Sequence, residues 1–471
     1  MIMSDKSRFI YNSLLFLLGT GLSKALSIIL LPLYTSLIPT SDYGAYDVSI
    51  TVITIVSSVA YFEIWAAVLR YMYDFSTPAG QAKVIKAGSI LFLGATLLFT
   101  LISSVICSIF RLAMPGLLIG YGIATSAASF FCFVARGCNK NREFTVSGII
   151  NSMVIAITSI ILLVIFHFGF SALYISSICG SVTQCIYLAY VVKFYSVLKR
   201  GACDTSLTRE LLSFAAPLCL NTASYWLLSS ASRLVFNYLC GDSASGLFSV
   251  GNKFGQVMIL ATTCFTYAWQ DLSFSRSSAN GTRGDFYTRA CRKYLVFLTA
   301  SYSLLLPAVA LLFPVFVKGD YSESFNMIPL ALIVALLNGY SGFVGNIFYA
   351  IKKTRTITVS AIVGGIAAVL SSPFFIHFFW ANGVNCSVAL GFIVNIIIRA
   401  IILRKKTGFK LEMRVALLCI FWIIITSIAF YFATSICIII ILINVALTCW
   451  LFRTDLGDAL HHFRKAQASK D

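Results

Sequence analysis

Charge is scarce in this chain, and acid scarcer still. Only 11% of its 471 residues are Asp, Glu, Lys or Arg, and 17 residues in all are acidic. A water-soluble domain carries about a quarter charged residues, so a soluble globular surface is excluded. Histidine is down to four positions, His167, His377, His461 and His462, and no Cys-x-x-Cys pair occurs. Metal-ligand spacing is therefore missing, and no metal site is expected. The 14 cysteines, among them Cys107, Cys132, Cys219 and Cys264, fall mostly inside apolar runs, where cysteine packs as a small hydrophobe. No P-loop, Asp-rich metal motif or nucleophile elbow is present, and no long external connection is left to house a catalytic cluster. A membrane glycosyltransferase or polysaccharide polymerase is disfavoured on those grounds, and the chain is not expected to be an enzyme.

Apolar sequence fills the space that charge leaves. Hydrophobic residues make up 59% of the chain and the mean hydropathy is +0.89. About fourteen segments are long enough to span a bilayer, at 9–35, 46–69, 85–108, 114–135, 146–168, 172–195, 211–239, 247–270, 294–316, 327–350, 357–379, 385–404, 414–432 and 435–452. The first is too long for a signal-peptide core and lacks a following cleavage site, so it is read as a retained span.

Lysine and arginine give these spans an orientation. The net charge of +18 lies in short connections, not in a nucleic-acid patch. One side collects Lys6 and Arg8, Arg70 with Lys83 and Lys86, Arg136 to Arg142, Lys193 to Arg209, Arg276 to Lys293, Lys352 to Arg355, Arg404 to Arg414, and the tail from Arg453. The other side receives only Arg111 and Lys318. Positive-inside topology then puts both termini in the cytoplasm with an even number of spans.

The chain also repeats itself. Tyr34 to Val48 aligns without gaps on Phe236 to Val250, matching Leu37 with Leu239, Ser41 with Ser243, Gly44 with Gly246 and Tyr46 with Phe248. Lys140 to Ile149 aligns in the same way on Lys353 to Ile362. The first match joins spans 1–2 and 7–8 outside, the second spans 4–5 and 10–11 inside. Two six-helix lobes of equal orientation are implied, 1–200 and 201–410, with 411–471 adding two C-terminal spans and a cytoplasmic tail. Parallel repeats about an axis along the membrane normal are a transporter architecture. The expected fold is all-α and polytopic.

Those stretches resemble the polysaccharide-lipid flippases of the MATE-like (MOP) superfamily, in particular Wzx-type O-antigen flippases. The resemblance rests on Ser23-Lys24, Leu33-Tyr34-Thr35, Ser41-Asp42-Tyr43-Gly44 and Ala67-Val68-Leu69-Arg70-Tyr71 in the first half. In the second it rests on Phe214-Ala215-Ala216-Pro217, Ser232-Arg233, Gly246-Leu247-Phe248-Ser249-Val250, Lys253-Phe254 and Tyr349 to Thr354. Many relatives carry an aspartate where Ser232 stands, so no role of that aspartate transfers. The resemblance implies transfer of an undecaprenyl-pyrophosphate-linked oligosaccharide, an O-antigen repeat unit of lipopolysaccharide, from the cytoplasmic to the periplasmic leaflet of a bacterial inner membrane. It also implies a central cavity facing each side in turn, and a polysaccharide polymerase and a chain-length regulator as partners; no cofactor is expected, and H+ or Na+ coupling is left open.

The intramembrane charges supply candidate sites. A basic residue at a helix centre costs about 2.5–3.5 kcal/mol on insertion scales, so it tends to face a cavity or a partner. Lys24 in span 1, Arg233 in span 7 and Lys253 in span 8 are the substrate-binding candidates, placed to receive an anionic pyrophosphate. Lipid II flippases of the resembled superfamily likewise carry basic residues on spans 1 and 8. Snorkelling to the outer interface is the plainer reading for Arg233 and Lys253. Glu63, the acid within span 2, either titrates in a coupled cycle or neutralises a cation such as Lys24. Asp271 ends span 8 as a cap or a partner for Arg276. Arg70 and Arg399 are candidates for a cytoplasmic entrance, Arg399 by snorkelling from span 12. Tyr225 and Trp226 on span 7 are expected in the aromatic belt, with sugar stacking as the alternative. A cation or drug antiporter of the same fold is the nearest rival, and it would call for more intramembrane acid.

Overall fold

The computed structural model describes residues 26, 28–75, 77–201, 204–259, 262, 283–351, 353–431, 439 and 443. Fourteen α-helices run through them, with no strand among the described residues. In chain order they are α1 (Leu31–Leu37), α2 (Thr40–Ala60), α3 (Ile64–Met72), α4 (Pro78–Ile109), α5 (Pro115–Gly137), α6 (Asn141–Ile160) and α7 (Ser171–Val192). There follow α8 (Phe194–Arg200), α9 (Thr205–Lys253), α10 (Arg283–Phe316), α11 (Ile328–Ala350), α12 (Thr354–Phe379), α13 (Ala381–Thr407) and α14 (Met413–Ala429). A π-helical turn, Ile161–Ile165, extends α6, and a 3-10 helix, Gly319–Met327, joins α10 to α11.

Among the described residues, ten helical stretches are long and apolar enough to cross a membrane. One of them, Thr205–Ile259, holds the seventh expected span and the first half of the eighth, most of the rest of which lies outside the described residues. Gly241 divides it, at φ 81° and ψ −179°, a backbone region essentially closed to residues with a Cβ. The thirteenth span is the shorter apolar helix α14. Most of the first span and the fourteenth lie outside the described residues.

Local chemistry sets the helix ends. Pro78 and Pro115 open α4 and α5, where a missing N–H costs no intrahelical bond, and the Thr77 hydroxyl accepts from the Gly80 N–H at 3.2 Å. Asp204 caps α9 by accepting from the Ser206 and Leu207 N–H groups at 3.0 and 3.1 Å. These bonds, with that from the Ser206 hydroxyl, hold its carboxyl below the usual carboxylate range. Arg404, Lys405 and Lys406 occupy the last turn of α13, favoured at the negative end of the helix dipole, before Gly408 ends it.

Two expectations about the second span change. The polar run Thr40–Asp42, read as connection, is already helical, and Pro39 at φ −60° and ψ 151° makes the turn in front of it. The helix is also broken: Phe62 and Glu63 take φ 50° and 56°, a left-handed pair without glycine, between α2 and α3. Such breaks persist only where the surroundings fix them, and they concentrate at working sites.

Buried apolar side chains collect in two large clusters. One draws on residues from Ile53 to Ala215. The other spans Phe236 to Phe430 and takes in Leu31, Tyr34 and Tyr43 from the first helices. The repeat also surfaces in polar contacts. Ser147 on α6 accepts from Gln184 of α7 at 3.1 Å, and its repeat counterpart Ser360 on α12 accepts from Asn395 and Arg399 of α13 at 3.2 and 2.9 Å. Matched serines thus anchor matched helix pairs.

Candidate functional site

The repeated hairpins meet each other. Under the gapless match Pro39 pairs with Gly241 and Thr40 with Asp242, and the chain turns at both places. A Cβ on Gly44 would fall 1.8 Å from the Asp242 carbonyl oxygen, and one on Gly246 would fall 2.0 Å from that of Thr40. Two helices therefore touch backbone to backbone, each using its own glycine against the other's first turn. Small residues permit this approach inside a membrane, where dispersion replaces the hydrophobic effect as the driving force. The 3-10 segment and the residue before it add to the seal at this end. The Lys318 N–H donates to the Thr35 hydroxyl at 3.0 Å, and the Tyr321 hydroxyl donates to the Ile38 carbonyl at 2.9 Å.

Just beneath this seal lies a charge cluster. Asp47 sits seven residues into α2, about 10 Å along the helix axis. Its Oδ2 accepts from Arg233 Nη1 at 2.8 Å, and Thr51 lies 3.5 Å from the same nitrogen. The Arg233 guanidinium also stacks over Phe248 at 5.3 Å. The Lys253 ammonium lies over the Tyr43 ring at 5.2 Å and the Tyr34 ring at 5.5 Å, and it forms no ion pair among the described residues. Asp47 acts on it electrostatically. Two cations thus share one carboxylate, which leaves about one positive charge uncompensated in a site walled by tyrosine and phenylalanine. A site of this kind attracts an anion, and low local polarity strengthens the attraction.

The other anticipated residues separate. Lys24 and Asp271 lie outside the described residues. Arg233 and Lys253 meet at one place, as sequence reasoning grouped them, and Arg233 turns to a carboxylate on α2 instead of outward. Glu63 faces no described cation: its Oε2 accepts from Trp65 Nε1 at 2.9 Å and its Oε1 from the Thr222 hydroxyl at 3.2 Å. It thereby ties the break in the second span to α9. Arg70, on the last turn of α3, is exposed and pairs with Asp74 at 2.6 Å. That bond raises its pKa. A groove of about 850 Å3 opens beside it, lined by Tyr71, Arg209, Glu210, Phe214 and the start of α9. Tyr225 hydrogen-bonds to Asn338 Oδ1 and packs edge-on against Phe392.

Arg399 requires a correction. Read as snorkelling towards a cytoplasmic entrance, it is instead only 4% exposed, wedged among α11, α12 and α13. Its Nε donates to the Ser360 hydroxyl at 2.9 Å, Nη1 to the Ser341 carbonyl at 2.5 Å, and Nη2 to the Ile357 carbonyl at 3.4 Å. Oxygen acceptors from two neighbouring helices, α11 and α12, replace water, so the side chain has no need to reach the interface. Asp47 was the residue missed. It stands next to last in the repeated segment Tyr34 to Val48, and placing the helix start at 46 left it at the rim instead of two turns deep.

A family described as polysaccharide biosynthesis protein matches residues 9–268. No curated protein matches the chain. Among solved structures, the lipid II flippase MurJ in an inward closed conformation superposes with a TM-score of 0.69 at 15% identity, covering 94% of this chain and 100% of that one. An inward-facing multidrug resistance MATE family transporter of the MOP superfamily gives 0.66 at 15% identity, covering 82% and 94%. An outward-facing transporter of the same description gives 0.59 at 16%, covering 86% and 96%. At such identities the likeness is one of fold.

Proposed function

This chain belongs to the polysaccharide biosynthesis protein family, and we propose that it is a flippase for an undecaprenyl-pyrophosphate-linked oligosaccharide, an O-antigen repeat unit. The cargo moves from the cytoplasmic to the periplasmic leaflet of a bacterial inner membrane by alternating access between two lobes, 1–200 and 201–410. The observation that carries the reading is the pair of cations, Arg233 and Lys253, that share the single carboxylate Asp47. An isolated ion in hydrocarbon costs tens of kcal/mol by Born estimates, and pyrophosphate is the part of the cargo that faces this cost. Cationic side chains beneath a closed outer seal lower it.

The same ion pair links cargo to conformation. Asp47 stands on the first-half hairpin and Arg233 on the second, so their bond holds the outer ends together. An arriving pyrophosphate competes with Asp47 for the guanidinium, and as it wins, the latch loosens. A ligand shifts such an equilibrium only by its differential affinity for the two states, and here that difference is the exchange of one anion for another. The membrane potential adds a push: an anion leaving an inside-negative cell gains about 2.3 kcal/mol per charge per 100 mV.

Complementation of a strain lacking its own O-unit flippase tests the reading. Wild type restores surface polysaccharide, and Lys253→Met at equal membrane abundance abolishes it while Lys253→Arg retains it. Failure of the wild type across several O-unit backgrounds, accompanied by drug or cation efflux, would sink the proposal in favour of an antiporter.

A further inference from the structure

A second polar cavity lies in the first half of the chain, apart from the Arg233–Asp47 pair. It encloses about 240 Å3 between α2 and α5, beside the start of α3. Its walls include the hydroxyls of Thr54, Ser58, Thr125 and Ser129 and the rings of Trp65 and Tyr121. Each of the four hydroxyls donates to a carbonyl one turn back on its own helix, Thr54 to Ile50 at 2.7 Å, Ser58 to Thr54 at 3.0 Å, Thr125 to Tyr121 at 2.8 Å and Ser129 to Thr125 at 3.0 Å. Their protons are spent and their lone pairs remain. These four therefore face the cavity as acceptors, beside Ser57, Ser126 and two aromatic rings.

Both rings are held in place. Trp65 is fixed by its bond to Glu63, and Tyr121 packs edge-on against Tyr174 at 6.3 Å. No carboxylate lines the cavity among the described residues, which speaks against a cation as occupant. A neutral polyol presents hydroxyl donors at its rim and C–H groups on its flat faces, and both halves of that chemistry are met here.

Position ties this cavity to the cationic site. Asp47, Thr51, Thr54 and Ser58 follow one another at intervals of four, three and four residues, the spacing of a single helix face. The first two face Arg233 and the last two line the cavity. A group bound at Arg233 thus lies within about two turns, on the order of 10 Å, of the cavity.

We propose that this cavity is a saccharide subsite, which seats the sugar joined directly to the pyrophosphate and stacks it on Trp65. The proposal rests on the lipid-oligosaccharide reading above and adds to it where the cargo is recognised. Trp65 also hands its bond to Glu63, whose other oxygen holds Thr222 of α9, so occupancy bears on a contact between the two halves.

The test measures binding to the full-length protein in nanodiscs with two probes, undecaprenyl pyrophosphate alone and its sugar-bearing form extracted from native membranes. Wild type should bind the sugar-bearing lipid at least about tenfold more tightly, the equivalent of one or two good hydrogen bonds. Thr54→Val with Thr125→Val should bring that affinity down to the bare-lipid value, and Thr125→Ser should keep it. Equal affinity of wild type for the two probes, or an advantage that survives the double valine change, overturns the subsite and leaves the flippase reading standing. Binding of neither probe by wild type overturns the lipid-oligosaccharide reading and the subsite with it. Trp65→Phe, which keeps a ring and loses the bond to Glu63, should retain part of the advantage; full loss with Trp65→Phe and none with the valines would also refute the cavity's role.

Discussion

Replacing Asp47 by Asn removes one charge from the proposed latch and keeps its shape. At the observed 2.8 Å contact the charge centres lie about 4 Å apart, and an effective dielectric of about 20 gives an attraction of about 4 kcal/mol. The two side chains remain 24% and 19% exposed, and Arg233 keeps its stacking on Phe248, so about half of that attraction is a fair net value. About 2 kcal/mol corresponds to a roughly 30-fold change in the ratio of outer-closed to outer-open molecules. Spin labels on Leu37 and Tyr238, both exposed near the two turns, report this ratio as a distance distribution in a cysteine-free background. Wild type should give one short population, and Asp47→Asn a second, longer one. The exchanged pair, Asp47→Arg with Arg233→Asp, should restore the short population. A distribution unmoved by Asp47→Asn would refute the latch.

Gly44→Ala or Gly246→Ala should push the hairpins apart, since the added methyl would meet a backbone carbonyl at 1.8 or 2.0 Å. The same spin-label distances should lengthen, and the double change should do no more than either alone once the contact is lost. Arg399→Met should lower stability by about 3 kcal/mol, because the Ser341 and Ile357 carbonyls lose a charged donor in a buried site; thermal unfolding in detergent, followed by a loss of Tm, checks it. For Asp204 the folded carboxyl has the lower pKa, so its contribution is present above the unfolded value of about 3.9 and fades as pH falls through the folded one. Protection of the Ser206 and Leu207 amides should decline over that acid range, and Asp204→Asn should flatten the decline.

Periodicity and charge made most of the architecture legible, because length and polarity decide whether a segment crosses a bilayer. The alternation of basic connections carried the span count through places where hydropathy alone blurs, such as the closely joined sixth and seventh helices. What a one-dimensional reading missed were the places where two distant segments settle a cost together. Arg399 looked like a side chain that must reach water, since a guanidinium in hydrocarbon is costly. Its acceptors come from residues 39 to 58 positions away, and nothing in its own segment announces them. The serine matched across the repeat, Ser147 with Ser360, was the available clue: one half meets it with Gln184, the other with Asn395 and Arg399.

Asp47 makes the same point for the site itself. Counting intramembrane cations suggested an anionic passenger, yet a count does not tell which cations are already engaged. Arg399 is held by neutral oxygens, Arg70 by Asp74, and Arg233 by a carboxylate 186 residues away. Lys253 alone among these four rests on aromatic faces, with a share in the field of Asp47 and no ion pair of its own among the described residues. On the proposed reading, Lys253 meets the phosphate first, and Arg233 follows only as Asp47 gives way. That order separates capture from opening: Lys253→Met should weaken binding of the bare lipid pyrophosphate, whereas Asp47→Asn should strengthen binding and uncouple it from the movement of the hairpins.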